Sequence, residues 1–491
     1  MRLSRVSAAA IGVVAVLLSI AAVLAFRTLA LDAPVSDTVE PAARAVDRDR
    51  AVASLAAALR FRTVNDGGDV APHAPEHEGL RRHLETAYPA VHAALERELV
   101  AGHTMLFRWP GRDPALAPIL LMGHTDVVPV ETGTEAAWER EPFGGVVADG
   151  FLWGRGALDN KQNVIGILEA VEQLLAEGFT PQRTVYLVFG HDEESGGAGA
   201  EAAAALLASR GVRFSFVLDE GGLIADPAML GTASPVALVK TAEKGYLTLE
   251  LGVSGTGGHS SSPPRHTPVG ILSRALVRLE ETPFPARLDG AAADLIATVL
   301  PERGLAARVL VANRWLFDPV LLRILAADPS TNASIRTTVA PTMLSASPKE
   351  NVLPSRASAV VNLRLLPGDD VAGTVDRVRD VIDDDRIEVR VRTAVEPSPT
   401  SDRSAPNFAL LERTIRQVSP PGTRVTPYLA LGATDSRHFA ALSDDIYGFT
   451  PAIGDGDVLA RIHGTGERIR VEDVERLVRF YAQLIVNAAG E

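Results

Sequence analysis

The chain has 491 residues, 46% hydrophobic and 22% charged, an ordinary globular composition that excludes long low-complexity tracts. Its length exceeds one compact core and suggests two or three domains. With 48 basic and 61 acidic residues, a net charge of −13, no Lys/Arg cluster and no cysteine, the sequence excludes a nucleic-acid partner, disulfides, thiolate nucleophiles and Cys-ligated zinc.

Arg2 and Arg5 precede an uncharged, mostly apolar run from Val6 to Phe26, which Arg27 closes. The run is long enough to span a bilayer as a helix, whereas a secretory signal core takes about 7 to 15 residues. Residues 1–27 therefore read as a signal anchor. Cleavage after Ala25, with Val23 and Ala25 small enough for a signal peptidase, is the alternative. Positive charge before the span keeps the N-terminus in the cytoplasm, so an extracytoplasmic protein, membrane-anchored or secreted after cleavage, is expected. Residues 28–45, with Pro34 and Pro41, read as a tether.

Residues 46–240 alternate apolar strand-like runs with helical periodicity, the signature of a mainly parallel sheet with helices on both faces. Ile119 to Met122, Val185 to Phe189 and Phe214 to Leu218 are almost wholly apolar, as strands buried on both faces must be. GHTDVVP, GHDEESGG and DEGG follow these three runs. Ligands of open α/β sheets bind outside the carboxyl ends of the strands, so the three strings should converge on one crevice. Residues 241–396 change to strand, helix, two strands, helix and strand, a ferredoxin-like α+β layout inserted into the first domain, which resumes over 397–491. A further insertion, from about Thr282 to Thr337, has no informative periodicity.

A two-metal hydrolytic site needs a bridging carboxylate, terminal His or carboxylate ligands on each ion, and a free carboxylate to deprotonate water. His124 follows a buried strand, and Asp126 is placed to orient its imidazole. Asp159 lies in GRGALDNKQN; capping the helix expected over Gln162 to Glu177, a task that Asn160 also suits, is its simpler use. Glu193 and Glu194 follow the second strand, and adjacent side chains on a strand point to opposite sides, so one can bind metal while the other holds water. Asp219 repeats the placement after the third strand.

GHTDVVP, GRGALDNK, GHDEESGG, LDEGG, GTGGHSSSPP, NVLP, NLRLLPG, GATDSRHF and IHGTGE occur in this order. In this the chain resembles the zinc metallopeptidase family of aminoacylase, carboxypeptidase S and succinyl-diaminopimelate desuccinylase, from roughly residue 50 to the end. GHDEE, LDEGG and NRWLF are most similar to the carboxypeptidase S branch, which includes Gly-Xaa carboxypeptidases and enzymes that make and break N-fatty-acyl amino acids. The resemblance implies an α/β catalytic domain carrying an inserted lid and dimerisation domain. It also implies two zinc ions per subunit, with cobalt or manganese as possible substitutes. By motif, His124 and Asp219 would hold one ion, Glu194 and His463 the other, with Asp159 between them, Asp126 supporting and Glu193 as general base. A non-proline cis peptide would fall at Asp159-Asn160. His259 would reach a partner subunit's site in a homodimer, Asn351 and Arg364 would contact substrate, and Arg437 is a further candidate for that role or a brace. The expected substrate is a small molecule, a dipeptide or N-acyl amino acid.

Two other readings stand beside this one. Ser260 to Ser262 next to His259 suggest a serine hydrolase, although no G-x-S-x-G elbow is present. A non-catalytic extracytoplasmic binding protein on the same fold is the other, and it would have no use for Glu193.

Overall fold

The computed structural model describes residues 5–31, 39–67 and 71–490. Three strands, Ile119–His124, Val185–Gly190 and Phe216–Asp219, are buried along their full length. Alternation explains how every residue is covered. Ile119, Leu121, Leu187, Phe189 and Leu218 enter one core with the helices Arg48–Ala58, Lys161–Ala176 and Val471–Ala489, while Leu120, Met122, Val188 and Val217 enter a second core with Ala198–Ser209. Leu121 is completely buried, and truncating such a leucine to alanine costs about 2–5 kcal/mol.

Ile119–His124 lies between the other two strands and pairs parallel with both. Ile446–Gly448 adds a further parallel strand beyond Phe216–Asp219. The full sheet has ten strands, with antiparallel pairs at the Glu96–Val100 edge. The carboxyl ends of the three motif-bearing strands are therefore side by side, as the α/β reading requires.

A second, four-stranded antiparallel sheet is built from Gly245–Ser254, Thr338–Ser345, Arg356–Leu365 and Ile387–Val395. Its chain order of strand, helix, strand, strand, helix, strand is ferredoxin-like. Leu247, Leu249 and Leu251 face the helices Pro268–Glu281 and Val371–Ile382 in a separate core. Between the first helix and second strand of this unit, the segment without legible periodicity folds into four short helices, Gly290–Val299, Leu305–Ala312, Arg314–Leu325 and Pro329–Ile335.

The segment read as a tether is held to the body at both described ends. Arg308 Nη2 donates to the Leu31 carbonyl at 2.9 Å, and Ala42 N donates to Gln417 O at 2.9 Å. Residues 32–38, which include Pro34, lie outside the described residues. Ahead of them is one helix, Arg5–Leu29, whose stretch Ile11–Leu29 is long and apolar enough to cross a membrane.

Candidate metal centre

His124 ends its strand fully buried, and its two ring nitrogens face opposite ways. Nδ1 is 3.1 Å from the Asp126 carbonyl and 3.2 Å from Asp126 Oδ1. Nε2 is 2.9 Å from Asp159 Oδ1 and 3.2 Å from Glu220 Oε1. Asp159's other oxygen lies 3.0 Å from His463 Nε2, which is also 3.3 Å from Glu194 Oε2. One carboxylate thus stands between two histidines, each with a second carboxylate of its own. Glu193 completes the group, with a ligand atom within 4.8 Å of those of His124 and Glu220.

The supporting shell explains the geometry. Asp126, completely buried, accepts from Asn65 Nδ2 at 2.9 Å and from the backbone of Glu193 and Glu194 at 3.3 and 3.1 Å, so one carboxylate orients His124 and holds the acidic turn. Glu467 Oε1 accepts from the backbone of Gly156, Leu158 and Asp159 at 3.0, 2.8 and 3.1 Å. Its partner Arg155 donates to the His463 and Gly464 carbonyls at 3.0 and 3.2 Å. His463 itself has φ 62°, an uncommon conformation for a non-glycine residue. The Asp159-Asn160 peptide is cis. Asp435 fills the space beside the acidic turn: a Cβ on Gly197 would come within 2.0 Å of its Oδ1, which accounts for glycine there.

Electrostatics sharpen the picture. Burial pushes Glu220 up to about 7, with Asp159 adding to the shift, and burial raises Glu193 well above the carboxylate range. Hydrogen bonds to Asp159 and Glu194 push His463 up to about 10. Burial also opposes ionisation of Asp159, but the His124 and His463 hydrogen bonds outweigh it and hold the carboxyl below its ordinary value. Five carboxylates, those of Asp126, Asp159, Glu193, Glu194 and Glu220, share two histidines. Glu194 Oε1 is buried without a hydrogen-bond partner among the described residues. A buried excess of anionic oxygen with an orphaned carboxylate atom fits a cation, and the all-His/carboxylate donor set suits zinc and its neighbours.

Several sequence expectations change. Asp219 does not meet His124; its Oδ2 accepts from Ser436 N at 2.9 Å, and Glu220 takes the place beside the imidazole. The strand ends at Gly190, so Glu193 and Glu194 lie in the short 3₁₀ turn Glu193–Ser195, and strand alternation is not what separates them. Asn160 precedes the helix Lys161–Ala176 without capping it by its side chain; instead its Oδ1 accepts from His124 N at 3.2 Å and its amide donates to Glu220.

Arg437 donates to the Gly196 carbonyl at 2.8 Å, a brace on the acidic turn made through the backbone. His259 and Asn351 sit together, exposed, on the small ribbon Gly258–His259 with Val352–Leu353, where Ser260 N donates to Asn351 O at 3.1 Å. His259 Nδ1 is 2.8 Å from Ser261 Oγ, and no carboxylate orients that pair among the described residues. Arg364 lies over the Tyr246 ring at 4.5 Å, on the second sheet. Glu220, Arg155, Glu467 and Asn65 were not singled out by sequence reasoning, and Asn160 only as a helix cap and in the cis peptide. All but Asn65 lie inside the quoted motifs, where Arg155 and Glu467 are charged residues in glycine-rich strings.

The profile of Peptidase family M20/M25/M40 matches residues 120–487. The chain belongs to this family. This M20 chain is 40% identical over 447 residues to the N-fatty-acyl-amino acid synthase/hydrolase PM20D1 of Xenopus tropicalis, covering 90% of this chain and 86% of that protein. It is 31% identical over 495 residues to carboxypeptidase S of Saccharomyces cerevisiae, covering 90% and 84%. The M20 metallo-carboxypeptidase Sso-CP2 of Sulfolobus solfataricus has a similar fold, with a TM-score of 0.63 at 17% identity over 89% of this chain and 98% of that one. Human carnosine dipeptidase 1 is likewise similar in fold, with a TM-score of 0.61 at 17% identity over 96% and 99%. As an M20 member the protein is a metallopeptidase-type hydrolase, and neither the serine hydrolase nor the non-catalytic reading survives.

Proposed function

We propose that this M20 enzyme is a co-catalytic two-zinc amidohydrolase that cleaves the amide bond of a C-terminal amino acid in a dipeptide or N-acyl amino acid. The same site would form that bond when product concentrations favour it. The observation that carries the reading is the division of Asp159, with one oxygen 2.9 Å from His124 Nε2 and the other 3.0 Å from His463 Nε2. Asp159 would bridge two ions, with His124 and Glu220 completing one and His463 and Glu194 the other. When bound, a zinc pair supplies a nucleophilic water at neutral pH and polarises the amide carbonyl.

Glu193 is the carboxylate left over once each histidine has its own acid, and it takes the proton from the attacking water. The proton it acquires then passes to the leaving amine. Asp126 keeps the His124 imidazole in one tautomer. Arg364 would receive the substrate carboxylate: half-buried over Tyr246, its guanidinium is paired with no acid among the described residues. The activities after which the relatives are named, N-fatty-acyl-amino acid synthesis and hydrolysis and carboxypeptidase action, support a substrate of that form. His259 and Asn351, exposed on their ribbon, would act across a homodimer.

The test is a metal analysis of the purified chain followed by a screen of Gly-Xaa dipeptides, N-acetyl amino acids and N-oleoyl amino acids. Two equivalents of zinc, chelator-sensitive turnover and a loss of about 10²–10⁴-fold in Glu193→Gln with zinc retained are expected. Chelator-resistant cleavage, or full turnover in Glu193→Gln, would remove the proposal.

A further inference from the structure

The N-terminal helix Arg5–Leu29 does not leave the body as a free stalk. Along it Ile20 and Leu24 are half-buried and Thr28 is buried, a spacing of four that lines one helix face. That face lies on the helix Leu305–Ala312 of the insertion. Asn313, fully buried just beyond it, donates Nδ2 to Thr28 Oγ1 at 3.2 Å and to the Leu24 carbonyl at 3.4 Å. Arg27 Nε donates to the Ala312 carbonyl at 3.0 Å.

The helix that starts after Asn313, Arg314–Leu325, turns Leu321 and Leu325 inward and leaves Trp315 57%, Leu316 42%, Val320 41% and Ile324 55% exposed. Leu316, Val320 and Ile324 recur at a spacing of four along the outward side, with Trp315 a residue before the first of them, and Trp315 and Leu316 are part of the NRWLF string that the metal site does not use. Exposed apolar side chains grouped on one side of a helix mark an interaction surface. Its position relative to the apolar span Ile11–Leu29 indicates what covers it. Leu24 lies five residues before Leu29, or about 7 Å along the axis at 1.5 Å per residue. A helix lying in a membrane surface sinks about 5–10 Å into the boundary between headgroups and acyl chains. The hydrogen bonds from Asn313 to Thr28 and Leu24 therefore hold the start of Arg314–Leu325 within the last turn or two of the span, a depth of that order. Tryptophan favours that boundary, and Arg323, on the same face, has a stem long enough to carry its charge back to water.

We propose that Trp315, Leu316, Val320 and Ile324 are immersed in the lipid leaflet from which the N-terminal helix emerges, so that the enzyme lies on the bilayer through its insertion. The proposal rests on reading Ile11–Leu29 as a retained span.

The chain has no cysteine, so single-cysteine variants label at one site. Full-length protein in phosphatidylcholine nanodiscs, carrying Leu17→Cys, Val320→Cys or, as an exposed control, Val147→Cys, is labelled with an environment-sensitive nitrobenzoxadiazole dye. Each sample is then quenched with doxyl-phosphatidylcholine or with soluble iodide. Labels at 17 and 320 should lose most of their emission to the doxyl lipid and little to iodide, with the reverse at 147. Lipid quenching at 17 with iodide quenching at 320 overturns the docking alone. Lack of lipid quenching at both 17 and 320 overturns the span as well. A label at 320 reached by neither quencher means that protein covers the face, which also overturns the proposal.

Discussion

Arg155 Nη1 meets Glu467 Oε2 at 2.6 Å with both side chains shut away from solvent. Through its other oxygen Glu467 fixes the backbone of Asp159, while Arg155 holds the His463 carbonyl. One buried pair thus sets the spacing of the residues on either side of the candidate metal bridge. Removing one charge from such a pair strands the other and costs about 3–5 kcal/mol. Glu467→Gln should therefore melt lower, and its metal affinity should fall by about 10–100-fold in a chelator competition. A variant that melts lower but binds metal like the wild type would reduce the pair to a structural brace.

Glu220 and Asp219 offer a direct comparison between neighbours. Glu220→Gln should release one metal equivalent and lower turnover by about 10²-fold or more, because its oxygen is the one beside His124. Asp219→Asn keeps an oxygen for Ser436 N and should retain both equivalents. Metal content by plasma mass spectrometry separates the two, and the opposite pattern would restore Asp219 as the ligand.

That pair also shows what the sequence could and could not reveal. The strands were legible because Ile119 to Met122, Val185 to Phe189 and Phe216 to Leu218 are apolar on both faces, which only a covered sheet accommodates. The choice between two adjacent acids was not legible from composition. It turns on parity: Asp219 shares the face of Val217, where the Asp435–Phe439 turn supplies Ser436 N. His463 was legible only through the family resemblance carried by IHGTGE, since its place depends on a carbonyl contact to Arg155 more than three hundred residues earlier. The four insertion helices escaped notice because most are short and the longest, Arg314–Leu325, is apolar both inward, at Leu321 and Leu325, and outward, which blurs its periodicity.

Arg364 should decide selectivity for free carboxylates. Charge-assisted hydrogen bonds contribute about 1.5–3 kcal/mol, so Arg364→Met should lose about 10–100-fold in kcat/KM on carboxylate-ending substrates. Carboxamide analogues should be nearly unaffected. Equal losses on both would assign Arg364 to packing against Tyr246.

His77 lies among the rings of His103 and His191, at centroid distances of 5.3 and 6.1 Å. Burial, with His103 next and His191 and Lys161 adding, pushes its pKa down to about 4, while Asp126 opposes. Unfolded, it titrates near 6.5. Between those values the unfolded chain binds a proton that the folded chain refuses, so stability is complete above about 6.5 and declines as pH falls towards 4. The loss is at most about 3 kcal/mol from this group. Urea denaturation at pH 7 and pH 5 should show His77→Phe losing less stability than the wild type over that interval. An identical loss in both would place the acid sensitivity elsewhere.

The candidate cluster draws His124, Asp159, Glu194 and Glu220 from the first half of the chain and His463 from just before the final helix, Val471–Ala489. During synthesis no emerging fragment holds the whole cluster until nearly all of the polypeptide has been made. Truncations from the carboxyl end should therefore yield scavengers with a single weak half-site, and loading with the two proposed ions would be a checkpoint that only a finished molecule can pass.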